Sequence, residues 1–365
     1  MTLRRVAIGV VLLLCGLGLT LALPVQTWRT GRMSVPSLAL LPGDERSIPT
    51  RRVWIDTDAA CGHTSRTDVD DCLALWLLAV RPELKVVGVS TVFGNAPVSV
   101  TDRTTRALVA RLPWPDEKQI AVNQGARDTV RPRASSDTAA QEALIRALEA
   151  GPLTIVALGP LTNVAHVLEA RPDLAKNVAR LVAVMGRRMG HLFHPSEGSG
   201  RGTLLGHGPV FRDFNFSVDP EAARSLIAMN LPATLVPYDA ARRVEITSRD
   251  LRRLARLGDA GSWIAERSEG WLEYWQSDVG RRGFYPFDVM AAAHVIQPSL
   301  FCCTTVHASV RKDPLMFIPL FRPEALLVEP PSSRRRANAL YCPDVKEGFA
   351  RQLRSWLFPR RDAMS

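Results

Sequence analysis

From Arg51 onward the chain alternates between two kinds of apolar pattern. Short, nearly continuous apolar runs predict buried strands at residues 51–58, 84–95, 178–186 and 232–239. Residues 70–82, 98–112 and 219–229 carry apolar positions at helical spacing, and the 70–82 helix is expected to be amphipathic. Residues 153–177 combine a strand, a Gly159-Pro160 turn and a helix. Asp219 is placed as an N-cap, with Pro220 at the first helical position. Alternation of long apolar strands with helices implies an α/β fold, a doubly wound and mainly parallel sheet flanked by helices. Ligands of such folds sit beyond the carboxyl ends of the strands. Those ends carry Asp56 and Asp58, Asn95, Leu158-Gly159, Met185-Gly186 and Asp239. The aperiodic, Gly- and His-rich stretch Gly190 to Pro209 is expected to loop over that rim.

The first 50 residues follow a different pattern. Arg4 and Arg5 precede an uncharged run from Val6 to Val25, which predicts a signal anchor or signal peptide over 1–25. Residues 26–50, with Pro36, Pro42, Gly43 and Pro49, predict a tether, and the domain proper is expected over 51–360. On this reading the protein is exported. It faces outward from the cytoplasmic membrane and touches its lipid, or is periplasmic or secreted if the segment is cleaved.

Composition changes little in this picture. The chain has 365 residues, 46% hydrophobic and 22% charged, enough apolar material for a large core. A net charge of +10 brings nucleic acid into view, but the one dense run, Arg334 to Arg336, lacks interleaved aromatics, so no nucleic-acid partner is expected. Cys15 lies in the apolar run, which leaves five further cysteines, an odd number. Cys61 and Cys72 flank an acidic turn, where a disulfide and two buried thiols are both open.

That turn concentrates the candidate chemistry. Between Val53 and Leu75 stand Asp56, Asp58, Asp68, Asp70 and Asp71. Clustered carboxylates at a strand end suit a hard cation with oxygen ligands. Asp70 and Asp71 also open a helix, where the dipole favours anions, so solvated caps are the competing reading. The acidic spacing of an EF-hand is missing. A haloacid-dehalogenase-like phosphatase would use Asp56 and Asp58 but leave Asp70-Asp71 without a role.

Asp56-Thr57-Asp58 followed by Asp70-Asp71 resembles the opening signature of the inosine-uridine-preferring nucleoside hydrolase family. "STVFGN" with Asn95, "VALGPLTNVA", "LVAVMG", "FRDFNFSVDPEAA" and "YPFDVMAAAHVIQPSLF" resemble further family blocks, in the family's order, over roughly residues 53 to 305. The resemblance implies a Rossmann-like core, a Ca²⁺ cofactor and hydrolysis of the N-glycosidic bond of ribonucleosides, leaning toward purines. It implies Asp58, Asp71, Asp288 and the Leu158 carbonyl as metal ligands, with Asp58 also the general base. Asp70, Asn95, Met185, Asp213, Asn215 and Asp288 would hold the sugar, and Phe287 would stack on the base. A homo-oligomer is left open.

The chain also departs from the family pattern. Asp58 and Asp70 stand twelve positions apart, against four in the commonest family form, with "AACGHTSRT" as the added material. That material either loops out, held by Cys61–Cys72, or displaces the ligands. Asp213 stands where Glu is usual, Phe287 where many members have His, and Gly186-Arg187 where a double Gly is usual. The family's His-Gly segment is not found between Gln124 and Gly151. The competing function is a non-catalytic ribose- or nucleoside-binding relative whose altered turn has lost water activation. His191, His194 and His207 are candidate proton donors, although solvated loop histidines are the simpler reading. His166 and His294 are read as structural, and Trp271, Tyr274 and Trp275 as packing residues.

Overall fold

The computed structural model describes residues 51–115, 119–129, 138–191, 213–313 and 324–359. The apolar run, the tether and most of the Gly190–Pro209 stretch, with His194 and His207, lie outside the described residues.

The strands are β1 (Arg51–Thr57), β2 (Leu84–Thr91), β3 (Val122–Gln124), β4 (Leu153–Ala157), β5 (Val178–Ala183), β6 (Arg187–Arg188), β7 (Ala233–Leu235), β8 (Ile246–Thr247), β9 (Gly283–Phe284), β10 (Phe301–Lys312), β11 (Glu324–Glu329) and β12 (Ala339–Val345). The helices are α1 (Asp70–Ala79), α2 (Val98–Val109), α3 (Ala139–Glu149), α4 (Thr162–Ala170), α5 (Phe214–Val218), α6 (Pro220–Ala228), α7 (Tyr238–Ala241), α8 (Ser248–Leu254), α9 (Asp259–Arg267), α10 (Glu269–Ser277), α11 (Phe287–Ile296) and α12 (Phe349–Leu357). Ten strands form one sheet in the order β3-β2-β1-β4-β5-β7-β12-β10-β11-β6, and β8 pairs with β9. Pairing is parallel from β3 across to β12, and β10 runs antiparallel to both its neighbours.

Strand alternation divides the core. Val53 and Ile55 of β1 enter a cluster with α1, α11 and α12 on one face. Trp54 enters a second cluster with α3, α4 and α6 on the other. A sheet covered on both faces is what continuous apolar strands require. Helix α1 differs from its amphipathic expectation: all ten residues are buried, because α11 and α12 add a further layer outside it. The chain leaves β1 toward β2 and β3 on one side and returns to β4 on the other. This strand-order reversal opens a crevice between the ends of β1 and β4, where Asp58 and Leu158 stand.

Two disulfides are formed, Cys61–Cys72 and Cys303–Cys342, and exposed Cys302 is the odd thiol left over. The first closes the acidic turn onto α1; the second, between β10 and β12, was not expected from the sequence. Among the described residues no helix is long and apolar enough to cross a membrane.

Candidate active site

Asp58 follows the end of β1 and is fully buried. Its Oδ2 accepts the Asn95 backbone N–H at 2.8 Å, and its Oδ1 has no hydrogen-bond partner. The backbone at Gly94 approaches so closely that a Cβ there would lie 2.0 Å from Asp58 Oδ2, which explains the Gly-Asn ending of this segment. Asp70 and Asp71 open α1, where the helix dipole favours them. Asp71 accepts the Thr57 hydroxyl at 2.5 Å and the Asn95 amide at 3.1 Å. Asp70 accepts the backbone N–H of Asp288 at 2.8 Å, across 218 residues of sequence, because α11 packs along α1. Asp70, Asp71 and Asp288 can each turn a carboxylate oxygen to within 4.8 Å of the others. Asp68 accepts the N–H groups of Val69 and Asp70, the role of a cap.

Among the described residues no guanidinium or ammonium pairs with any of these carboxylates. Burial lifts the Asp58 carboxyl well above its ordinary range, and the Asp71 charge raises it further. Asp288 is raised by burial and then by Asp70, Asp71 and Asp58. Asp70 and Asp71 are each raised to about 6, chiefly by burial. Two carboxylates at such separations repel by roughly 3–4 kcal/mol at an effective dielectric near ~20. Solvated caps do not account for groups so deeply buried. An orphaned carboxylate oxygen, all-oxygen donors and the lack of a counter-charge fit a hard metal ion.

The carboxylates border a cavity of about 710 Å³, lined by Asp68, Asp70 and Asp288 together with Asn95, Leu158, Met185, Gly186, Asp213 and Asn215. This lies within the ~300–1,000 Å³ usual for small-ligand sites. Asn215 donates to the Leu158 carbonyl at 2.5 Å, and Asp213 accepts the Gly186 N–H at 2.8 Å. Burial raises the Asp213 carboxyl to about 6. Asp70, Asn95, Leu158, Met185, Asp213, Asn215, Phe287 and Asp288 therefore line the cavity, and Asp58 and Asp71 are buried beside it. Asp56 and Asp239 do not line it: Asp56 is buried on Ser90 and Asn163, and Asp239 binds Arg188 and Tyr341.

The far wall is aromatic. Phe287 lines it and stacks on Tyr238 with ring centroids 5.7 Å apart. Trp271 and Tyr274 also line it while keeping the packing role expected of them: Trp271 belongs to the core cluster together with Trp275, and Tyr274 packs against it. Their i, i+3 spacing signalled a shared helix face but not which cavity that face meets. His63, Thr64, Arg66 and Thr67 of the added turn line the cavity as well, and sequence reasoning missed them. The turn loops outward, leaving Asp58 and Asp71 together in the cluster. His191 packs against Asp239 and lies outside the cavity lining.

Comparison with known proteins agrees with this geometry. The profile of the inosine-uridine preferring nucleoside hydrolase family matches residues 53–316. The chain is 30% identical over 267 residues to the pyrimidine-specific ribonucleoside hydrolase RihA of Enterobacter sp. (strain 638), covering 65% of this chain and 78% of the relative. RihA of Escherichia coli O9:H4 (strain HS) is 30% identical over 264 residues with the same coverage. In fold the chain resembles the plant nucleoside hydrolase PpNRh1 (TM-score 0.65, 22% identity, 86% of this chain and 100% of that one). It also resembles a purine-preferring ribonucleoside hydrolase from Gardnerella vaginalis (TM-score 0.66, 18% identity, 86% and 99%). These findings correct the expectation of an exported, membrane-anchored protein in contact with lipid. The likeness is to RihA-type hydrolases, over a region in which no described helix can span a bilayer, and the apolar run that prompted the expectation lies outside the described residues. With the family profile matched over residues 53–316 and RihA 30% identical over 267 residues, the chain belongs to the inosine-uridine preferring nucleoside hydrolase family.

Proposed function

We propose that this protein is a Ca²⁺-dependent hydrolase of ribonucleosides, releasing ribose and free base, with a preference for purines. The observation that carries the reading is the buried cluster of Asp70, Asp71 and Asp288, whose carboxylate oxygens lie within 4.8 Å of one another, with buried Asp58 close enough to repel Asp71 and Asp288. Asp58, Asp71, Asp288 and the Leu158 carbonyl would hold the ion, an all-oxygen set suited to calcium. When bound, calcium polarises a water and neutralises the carboxylates. Asp58 takes the proton of that water. Asp70, Asn95, Met185, Asp213, Asn215 and Asp288 surround the sugar, whose transition state gathers positive charge that a carboxylate-lined site stabilises. Incubating the purified protein with inosine, guanosine, adenosine, uridine and cytidine tests the reading. Equimolar base and ribose are expected, and release from none of the five would refute it. The competing reading, a non-catalytic binding relative, rested on displacement of the ligands by the longer turn, and the outward course of that turn argues against it.

Asn215 lines the cavity as a neutral hydrogen-bonding group, its amide nitrogen donating to the Leu158 and Val184 carbonyls. Asn215→Ala is expected to lower kcat/KM about 10-fold while leaving measurable turnover, the scale of one such bond. Loss as complete as that from removing the general base would contradict a sugar-binding role.

Base preference rests on Phe287. A phenyl ring cannot donate a proton, but it stacks on a heteroaromatic ring and gains more from a bicyclic base. Inosine is therefore expected to have a higher kcat/KM than uridine, and Phe287→His to lower that ratio. The pyrimidine specificity of the RihA relatives favours a second reading, pyrimidine preference. Uridine as the better wild-type substrate, or a ratio unmoved by the substitution, would select it.

A further inference from the structure

We propose that the added turn supplies a catalytic residue: His63 protonates the departing base. This rests on the hydrolase reading and adds to it the source of the leaving-group proton. Glycosidic cleavage sends the C1′–N bonding pair onto the base. Without a proton the base departs as an anion. Phe287 cannot provide that proton. Of the histidines among the described residues, His63 is the one that lines the cavity. His166 bonds Gln141, His191 faces Asp239, His294 packs on Phe301 in the core, and His307 of β10 bonds the Arg336 carbonyl.

The turn that carries His63 is built into place. Cys61 is bonded to Cys72, in the first turn of α1. Thr64 and Thr67 join their hydroxyls at 2.7 Å. Arg66 lies over the Tyr274 ring at 5.3 Å and pairs with Asp278 at 3.3 Å, which docks the turn on α10. Gly270 of that helix permits the contact, since a Cβ there would come within 2.8 Å of the Ser65 Cα. Helix α10 also presents Trp271, whose buried Nε1 has no hydrogen-bond partner and whose ring lines the same cavity. The turn and α10 therefore share the aromatic part of the cavity lining, which is where a base would stack. The base accepts the C1′–N pair and the His63 proton. The attacking water gives its hydroxyl to C1′ and its proton to Asp58. Solvent then returns both residues to their starting states.

The leaving group separates this role from a structural one. p-Nitrophenyl β-D-riboside presents the same sugar, but its phenolate departs without a proton. In the full-length protein, His63→Gln is expected to lower kcat/KM for inosine and uridine about 100-fold, the scale of general acid catalysis. Turnover of the p-nitrophenyl riboside should change less than about 3-fold, since the same principle gives a poised leaving group no gain from an acid. Equal losses on both substrate types would make His63 structural and overturn the proposal. Undiminished nucleoside turnover would place the proton source elsewhere and overturn it too. A wild-type protein inert toward the nucleosides and the riboside alike would remove the hydrolase reading and the proposal with it. Hydrolysis of the riboside by the wild type with unchanged nucleoside rates in the variant would remove the proposal alone.

Discussion

Asp58→Ala is expected to abolish nucleoside hydrolysis, with kcat falling by at least about 10³-fold, because one carboxylate serves both the metal and the attacking water. The buried position of Asp58 raises the question of whether such a loss reflects misfolding. The electrostatics answer it. In the metal-free protein Asp58 and Asp71 oppose each other, so deleting one charge relieves repulsion. Metal-free Asp58→Ala should therefore unfold at a temperature no lower than metal-free wild type. Asp58→Asn sharpens the test, since its side-chain oxygen can still accept the Asn95 N–H while it can take no proton from water. Turnover in either variant within about tenfold of wild type would place the base elsewhere, outside the range general-base removal produces. Asp68 would then be the next candidate, since it lines the cavity and Asp56 does not.

Chelation should remove activity and much of the thermal stability together. An ion that binds the folded state at 100 times its dissociation constant contributes about 2.7 kcal/mol, equivalent to about 5 °C or more in Tm for a domain of this size. The effect depends on pH in a defined direction. Without metal, Asp70 and Asp71 hold protons up to about 6, and the Asp58 and Asp288 carboxyls are also held well above their ordinary range, chiefly through burial and then through mutual repulsion. In the unfolded chain the same groups titrate near ~3.9. Below about pH 4 both states are protonated and no difference arises. As pH rises through about 4 to 6 and beyond, the unfolded chain releases protons that the folded chain retains, and the metal-free fold loses stability. Calcium binds the deprotonated carboxylates, so its stabilising effect grows over the same range. Scanning fluorimetry should show a larger calcium-induced Tm rise at pH 8 than at pH 5. Equal shifts at both values, or stabilisation by zinc in preference to calcium, would contradict an all-oxygen calcium site.

Several features were determined by the sequence alone, because their causes are local. The alternation Val53, Trp54, Ile55 assigns each side chain to its face of the sheet, as the two core clusters bear out. Asp219 and Pro220 mark a helix start, and Asp219 caps it by accepting the Ala222 N–H. The pair Asp70-Asp71 opens α1 as expected from the dipole. Order of motifs sufficed for the family, which the profile match over 53–316 shows.

What only the tertiary structure decided are the pairings between distant segments. Asp288 meets Asp70 because two apolar helices pack along each other, and no spacing within either helix carries that information. The course of the added turn depends on Cys61 finding Cys72 and on a glycine at position 270, more than 200 residues further along, leaving room for Ser65. Trp271, Tyr274 and Trp275 are alike in sequence pattern and all pack on the core, yet only Trp271 and Tyr274 also line the cavity, since helical periodicity records which residues share a face and not what the face meets. Burial of charge is likewise a property of the assembled layers: aspartates close together in sequence are ordinary in water, and Asp58, Asp70 and Asp71 become a buried cluster with Asp288 only when the sheet and α11 close over them.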